Sequence, residues 1–354
     1  MDVIGKKRIL HIDILRILAA FLVVYNHTKG YHFYLDGFDG PVRTGFQAAF
    51  SVFTRTNVPL FFMMSGALLL GKEESYKTLF SKRILRFAAV IFCASVVTYV
   101  LYNRDSLSLK QFVYALTSGN VTSQYWFLYA YLGFLLALPF MRKLAGQLTQ
   151  QDILLMVGCR LLLVTLPEVI NYITGFLEIT VPSLSGYVSL PFAAIDILYY
   201  PLLGFYCENR IRTANMGKSM VWLGFVFVCG ILGSVFLTCH QGIRTGYTQD
   251  YVDTFASVTA PALYLMVKYA LSQIREDRIS TKFAKAIGTA GTLMLGVYLM
   301  DPLFHHFLYN RTYHVVANLV RPIPFSLAYS VVSMTVCATV TYLMKKLPVI
   351  RSIL

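Results

Sequence analysis

The chain has 354 residues, of which 56% are hydrophobic and only 14% charged, against roughly 45–50% and 25% in an average soluble domain. This excludes a soluble multidomain enzyme, a disordered scaffold and a disulfide-stapled secreted domain, because an aqueous fold of this size cannot cover so much apolar side chain with so few charges. The formal charge of +14 points to loops facing anionic lipid rather than to nucleic acid, if the basic residues are segregated along the chain.

Crossing a hydrocarbon core takes about 20 apolar residues, and ten such stretches are present, near 9–27, 47–70, 84–102, 124–141, 153–173, 190–207, 219–238, 252–270, 287–308 and 324–344. All ten are expected to be helices, since a chain in lipid must satisfy its own backbone and no barrel-like alternation is present. The fold class is therefore an all-α polytopic membrane protein, one domain over residues 1–354. Pro59, Pro167, Pro201, Pro261 and Pro302 are expected to kink helices rather than end them. With the N-terminus cytoplasmic, 21 Lys and Arg fall on inner pieces and 7 on outer ones. Under the positive-inside rule both termini are then cytoplasmic. The six cysteines are scattered singly without a C-x-x-C pair, and read as small core residues. The first apolar run carries Asp13 and Arg16 and lacks a small-residue cleavage pattern, which argues against a removable signal peptide.

Ionisable residues within spans are costly and are the default functional candidates. The first helix reads HIDILRILAAFLVVYNH, with Asp13, Arg16 and His27. Arg16 and His27 lie eleven residues apart, which places them on one helical face about 16 Å apart along the axis. Asp13, one turn before Arg16, is either part of that polar stripe or simply its ion-pair partner. The second helix contains NVPLFFMMSGALLL, where Ser65 and Gly66 allow close approach of another backbone or of a thin ligand. SKRILRF opens the third helix. Its Arg83 and Arg86, one turn apart beside Lys82, can clamp a phosphate group, although positive-inside topology alone produces such a cluster. Further along, Glu168, Asp196, Asp253 and Asp301 fall at the same outer level as His27. One histidine among carboxylates in a partly desolvated cavity has the composition of a general-base site, whereas each acid singly also fits a structural ion pair, such as one with Arg160. Asp301 and His305 lie one turn apart with His306 adjacent, but no third ligand accompanies them, so no metal is expected.

The R-x(10)-H spacing of Arg16 and His27, VPLFFMMSGALLL from Val58, the R-x-x-R of Arg83 and Arg86, YWFLYAYLGFLLALPF from Tyr125 and GTLMLGVYLMDPLF from Gly291 together resemble the integral membrane acyltransferase-3 family. The likeness covers nearly the whole chain and is greatest to the bacterial surface polysaccharide O-acetyltransferases. It implies transfer of an acyl group, usually acetyl from cytoplasmic acetyl-CoA, to a hydroxyl of a surface glycan or lipid-linked saccharide by a protein integral to the bacterial cytoplasmic membrane. By this resemblance His27 is the catalytic histidine, Arg16 its partner, and Arg83 with Arg86 the pair that handles the donor. The chain departs from many relatives in having Asp301, not histidine, before Pro302.

These readings assemble into one expectation. Arg83, Arg86 and Lys82 hold the donor phosphates, Arg16 steadies the donor within the membrane, and His27 deprotonates the acceptor, assisted by one of Asp13, Glu168 and Asp301. Ser65 and Trp126 are expected to contact the donor, and with Tyr125 and Asn26 they are candidate hydrogen-bond donors to the tetrahedral intermediate. Tyr31, His32, Tyr34, Tyr247 and Tyr251 are candidate stacking surfaces for a sugar, or ordinary interfacial anchors. Membrane lipids are the remaining expected partners, and no nucleic acid is expected. The competing reading is an exporter of polysaccharide or glycolipid whose buried charges line a pathway.

Overall fold

A computed structural model describes residues 9–28, 41–179, 188–215, 217–245, 251–275, 278–309, 311–312 and 322–353. The described chain is helical, without strands. Its main elements are α1 (Leu10–His27), α2 (Pro41–Thr54), α3 (Asn57–Leu69), α4 (Leu85–Tyr102), α5 (Trp126–Gln147), α6 (Gln150–Arg160), α7 (Leu166–Leu177), α8 (Asp196–Asn209), α9 (Gly217–Thr245), α10 (Ala256–Ser272), α11 (Thr281–Phe304) and α12 (Pro322–Met344). Single π turns, Phe80–Ile84, Leu161–Thr165 and His305–Tyr309, lead into α4, join α6 to α7 and extend α11. The protein is an all-α polytopic membrane protein. Among the described residues, eight helical stretches are long and apolar enough to cross a bilayer.

All ten expected segments are helical, and the two that fall short have physical reasons. The sixth leaves helical geometry at Ile195 (φ −98°, ψ 116°). Arg160 donates to the freed carbonyls of Ala193 and Ala194, both at 3.0 Å, so a protein cation holds the break open where lipid could not. The remaining α8 has 14 residues, about 21 Å of rise. The eighth begins at Ala256 after a turn and has 17 residues. Pro201, Pro261 and Pro302 lie inside helices, Pro59 in the first turn of α3 and Pro167 directly after a π turn, so none ends a helix.

Two packing features position the site. Helix α1 packs against α2, α3, α10, α11 and α12. It runs parallel to α11, for a Cβ at Gly291 would meet Asp13 near one end, while His27 meets Asp301 at the other. Helices α3 and α8 touch backbone to backbone: a Cβ on Gly66 would sit 1.9 Å from the Pro201 carbonyl oxygen, and one on Gly204 would sit 2.1 Å from that of Met63. The small residue at Gly66 therefore admits a neighbouring backbone. Around this contact Leu60, Phe62, Met63, Phe134, Tyr199, Tyr200 and Leu202 form the main buried core.

Candidate active site

A cavity of about 390 Å³ opens at the basic end of the bundle, lined by Lys72, Lys82, Arg83, Arg86 and Arg16 and walled by apolar side chains of α3, α4, α5 and α11. Of the expected donor-side residues, the structure brings together Arg16, Lys82, Arg83, Arg86 and Ser65 here. Ser65 returns its hydroxyl to the Phe61 carbonyl at 2.8 Å, which satisfies it within its own helix. Toward the other end the lining includes Phe61, Phe127 and Tyr298. Phe127 lies 5.6 Å from Phe61 and 5.7 Å from Tyr298 between ring centroids. Five cationic side chains at one end and an apolar, aromatic remainder suit a molecule with an anionic head and a slender neutral arm.

Beyond that aromatic layer lies the histidine. Tyr298 is three residues before Asp301, about 4.5 Å of helix rise, and neither His27 nor Asp301 lines the cavity. His27 is the last residue of α1, and its Nδ1 is 2.5 Å from Oδ2 of Asp301. The aspartate is 1% exposed and the histidine side chain 13%. With Nδ1 turned to the carboxylate, the second ring nitrogen, Nε2, is left for chemistry. Pro302 and the π turn after α11 loosen the backbone beside Asp301, and tyrosine hydroxyls occupy carbonyls there. Tyr102 donates to Pro302 and Tyr125 to Leu299, each at 2.8 Å, while Tyr298 donates to the Gln124 carbonyl. Helix α4 and the turn that leads into α5 are thus tied to the segment that carries the carboxylate.

The other expected residues are placed elsewhere. Asp13 is buried and pairs with Arg16 at 2.9 Å, one helix length from His27. Glu168 is found with Arg160, Asp253 and Thr254, in a separate polar nest where Arg160 pairs with Asp196 at 2.8 Å. Trp126 is 54% exposed and does not line the cavity; Tyr125, its neighbour, is the buried one. Asn26 accepts from the Thr54 hydroxyl at 3.3 Å. Tyr31, His32, Tyr34 and Tyr247 lie outside the described residues, whereas Tyr251 packs edge-on against Tyr172. Among the described residues no group of three His, Cys, Asp or Glu is arranged to hold a metal ion.

Glu74, not among the expected site residues, pairs with Arg83, which lines the cavity. Its carboxylate takes two hydrogen bonds from Arg83, Nε to Oε2 at 2.7 Å and Nη2 to Oε1 at 2.9 Å. A third comes from Arg142 at 2.9 Å. The hydrogen bond from Arg83 is the largest cause that holds the carboxyl down to about 2; burial opposes it, and Arg142 adds to it. The stability this group contributes is therefore present above its ordinary value of 4.5 and is lost only as pH falls from there through about 2. The adjacent Glu73 and Glu74, set between Lys72 and the basic run Lys77, Lys82, Arg83 and Arg86, were the available clue.

A family profile described as an acyltransferase domain matches residues 9–342. The chain belongs to the acyltransferase-3 family, and it is a membrane acyltransferase. Comparisons with curated proteins and with solved structures give no match.

Proposed function

We propose that the protein transfers an acetyl group from acetyl-CoA, entering at the basic, cytoplasmic end, to a hydroxyl of a surface glycan arriving at the His27 end. The donor is a substrate. Its phosphates meet Arg83, Arg86 and Lys82, and its pantetheine arm runs along the apolar wall past Arg16. The acceptor oxygen attacks the thioester carbonyl while its proton passes to Nε2 of His27. The tetrahedral intermediate then collapses with cleavage of the C–S bond, and the coenzyme A thiolate takes the proton back from His27. Asp301 fixes the imidazole tautomer and stabilises the imidazolium formed in between.

The observation that carries this reading is the His27–Asp301 pair on parallel helices, set beyond a cationic cavity that opens at the opposite end of the bundle. The test is acetyl transfer by purified protein given radiolabelled acetyl-CoA and extracted envelope glycans. His27→Ala is expected to abolish labelled product while leaving the thermal transition and coenzyme A binding near those of the unmodified protein. Normal transfer by His27→Ala would remove the histidine from the mechanism. Movement of intact glycan without acetylation would favour export instead.

A further inference from the structure

The cavity mouth holds more organisation than a cluster of positive charge requires. Glu74 grips Arg83 as a two-bond fork through Nε and Nη2. Arg142 completes the arrangement by donating to the same carboxylate and, through Nε, to the Leu69 carbonyl at 3.1 Å. That carbonyl lies at the end of α3, and Arg142 is in α5, so the network joins two helices that wall the cavity to the arginine at its mouth. The three side chains are 26%, 16% and 11% exposed for Arg83, Glu74 and Arg142. An exposed single ion pair contributes little, but a forked pair within a network is the exception.

We propose that Glu74 is a positioning residue for the acyl donor: anchored by Arg142, it fixes Arg83 so that the remaining guanidinium edge, Nη1, meets an anionic group of the donor head. This rests on the donor reading of the cavity above. Nη1 has no protein partner among the described residues, and Arg83 lines the cavity. Two guanidinium groups share one carboxylate, so the triad keeps a net positive charge while one of its members is held still. A free arginine loses much rotamer entropy when it grips a ligand, and an arginine already oriented by a fork has lost it beforehand. Glu74 therefore favours donor binding although its own charge opposes that of a phosphate. Its carboxylate lies behind the guanidinium and touches neither the thioester nor His27, so its effect falls on donor affinity rather than on the chemical step.

The test uses the full-length protein in lipid nanodiscs, with coenzyme A binding by calorimetry and steady-state kinetics with acetyl-CoA. Glu74→Gln is expected to weaken coenzyme A binding and raise the donor KM by about fivefold to tenfold, the scale of freeing one ordered side chain, with kcat within about twofold. In an Arg83→Ala background the same change is expected to have no further effect, because the two residues act as one unit. Unchanged or tighter coenzyme A binding by Glu74→Gln overturns the proposal. So do additive losses in the double variant, and so does a fall in kcat that matches the rise in KM. If Glu74→Gln does not fold, Glu74→Asp, whose shorter side chain strains the fork, carries the same test with a smaller shift in the same direction. Absence of coenzyme A binding by the unmodified protein is a different failure: it removes the donor reading itself, and this inference with it.

Discussion

At the scale of single residues, the separate roles proposed for His27 and Asp301 follow from where each is placed. His27 ends α1, at the negative end of the helix dipole, which favours a cation, and the almost fully buried Asp301 supplies the opposite charge at 2.5 Å. In the proposed mechanism an imidazolium at His27 is thereby stabilised from two directions. Asp301→Asn keeps the shape and removes the charge, and its amide can also present the wrong hydrogen-bonding partner to Nδ1. We expect kcat to fall by about two to four orders of magnitude, as when the carboxylate partner of a catalytic histidine is neutralised, with the donor KM little changed. Steady-state kinetics with acetyl-CoA reads both parameters, and a variant that loses donor affinity while keeping kcat would assign Asp301 to binding. The placement of His27 on the helix that carries Arg16, at its far end, was legible from the sequence, because it needs only one continuous apolar run. Its partner was not. Asp13, Glu168 and Asp301 were equally eligible acids, and a pairing across 274 positions depends on helix order, which periodicity does not encode.

At the scale of elements, the spans were legible because twenty apolar residues have few other uses, whereas the breaks in them depend on partners. The Arg160 side chain that holds the gap before α8 comes from α6, on another segment. The α3–α8 contact is similar. VPLFFMMSGALLL announces a place of close approach, but only the structure shows that Gly66 and Gly204 answer each other across one interface. No side-chain rotation can relieve a Cβ placed about 2 Å from a main-chain carbonyl, so the helices must separate. Gly66→Ala and Gly204→Ala are each expected to destabilise the protein by about 1–3 kcal/mol, read as a lowered thermal transition in a fixed detergent. The double variant is expected to lose less than the sum, because one separation relieves both clashes. Full additivity would mean that the two glycines do not share an interface. Since Ser65, one residue away, lines the cationic cavity proposed to take the donor, both changes are also expected to raise the donor KM.

At the scale of the whole molecule, the cationic cavity and the His27–Asp301 pair occupy successive levels of one bundle, with Phe61, Phe127 and Tyr298 between them. Phe127 is the centre of this layer, since its ring also packs 5.2 Å from Phe62 and 6.0 Å from Tyr131. A closed layer has a chemical consequence. A thioester brought next to a general base is hydrolysed wherever water can reach it, so keeping the two apart until an acceptor arrives suppresses wasteful turnover. Phe127→Leu thins the layer while keeping most of the apolar volume, and so is milder than an alanine cavity, which costs about 3–5 kcal/mol for a buried phenylalanine. We expect this variant to hydrolyse acetyl-CoA several-fold faster than the unmodified protein when no glycan is present, with coenzyme A binding unchanged at the distant arginines. The gain should vanish in Phe127→Leu combined with His27→Ala, because the water is activated by the same imidazole. Release of thiol from acetyl-CoA, followed with a chromogenic disulfide, measures all three proteins. Hydrolysis that stays at the unmodified level in Phe127→Leu would show that these rings are packing alone, and that the donor reaches His27 by a path that does not cross them.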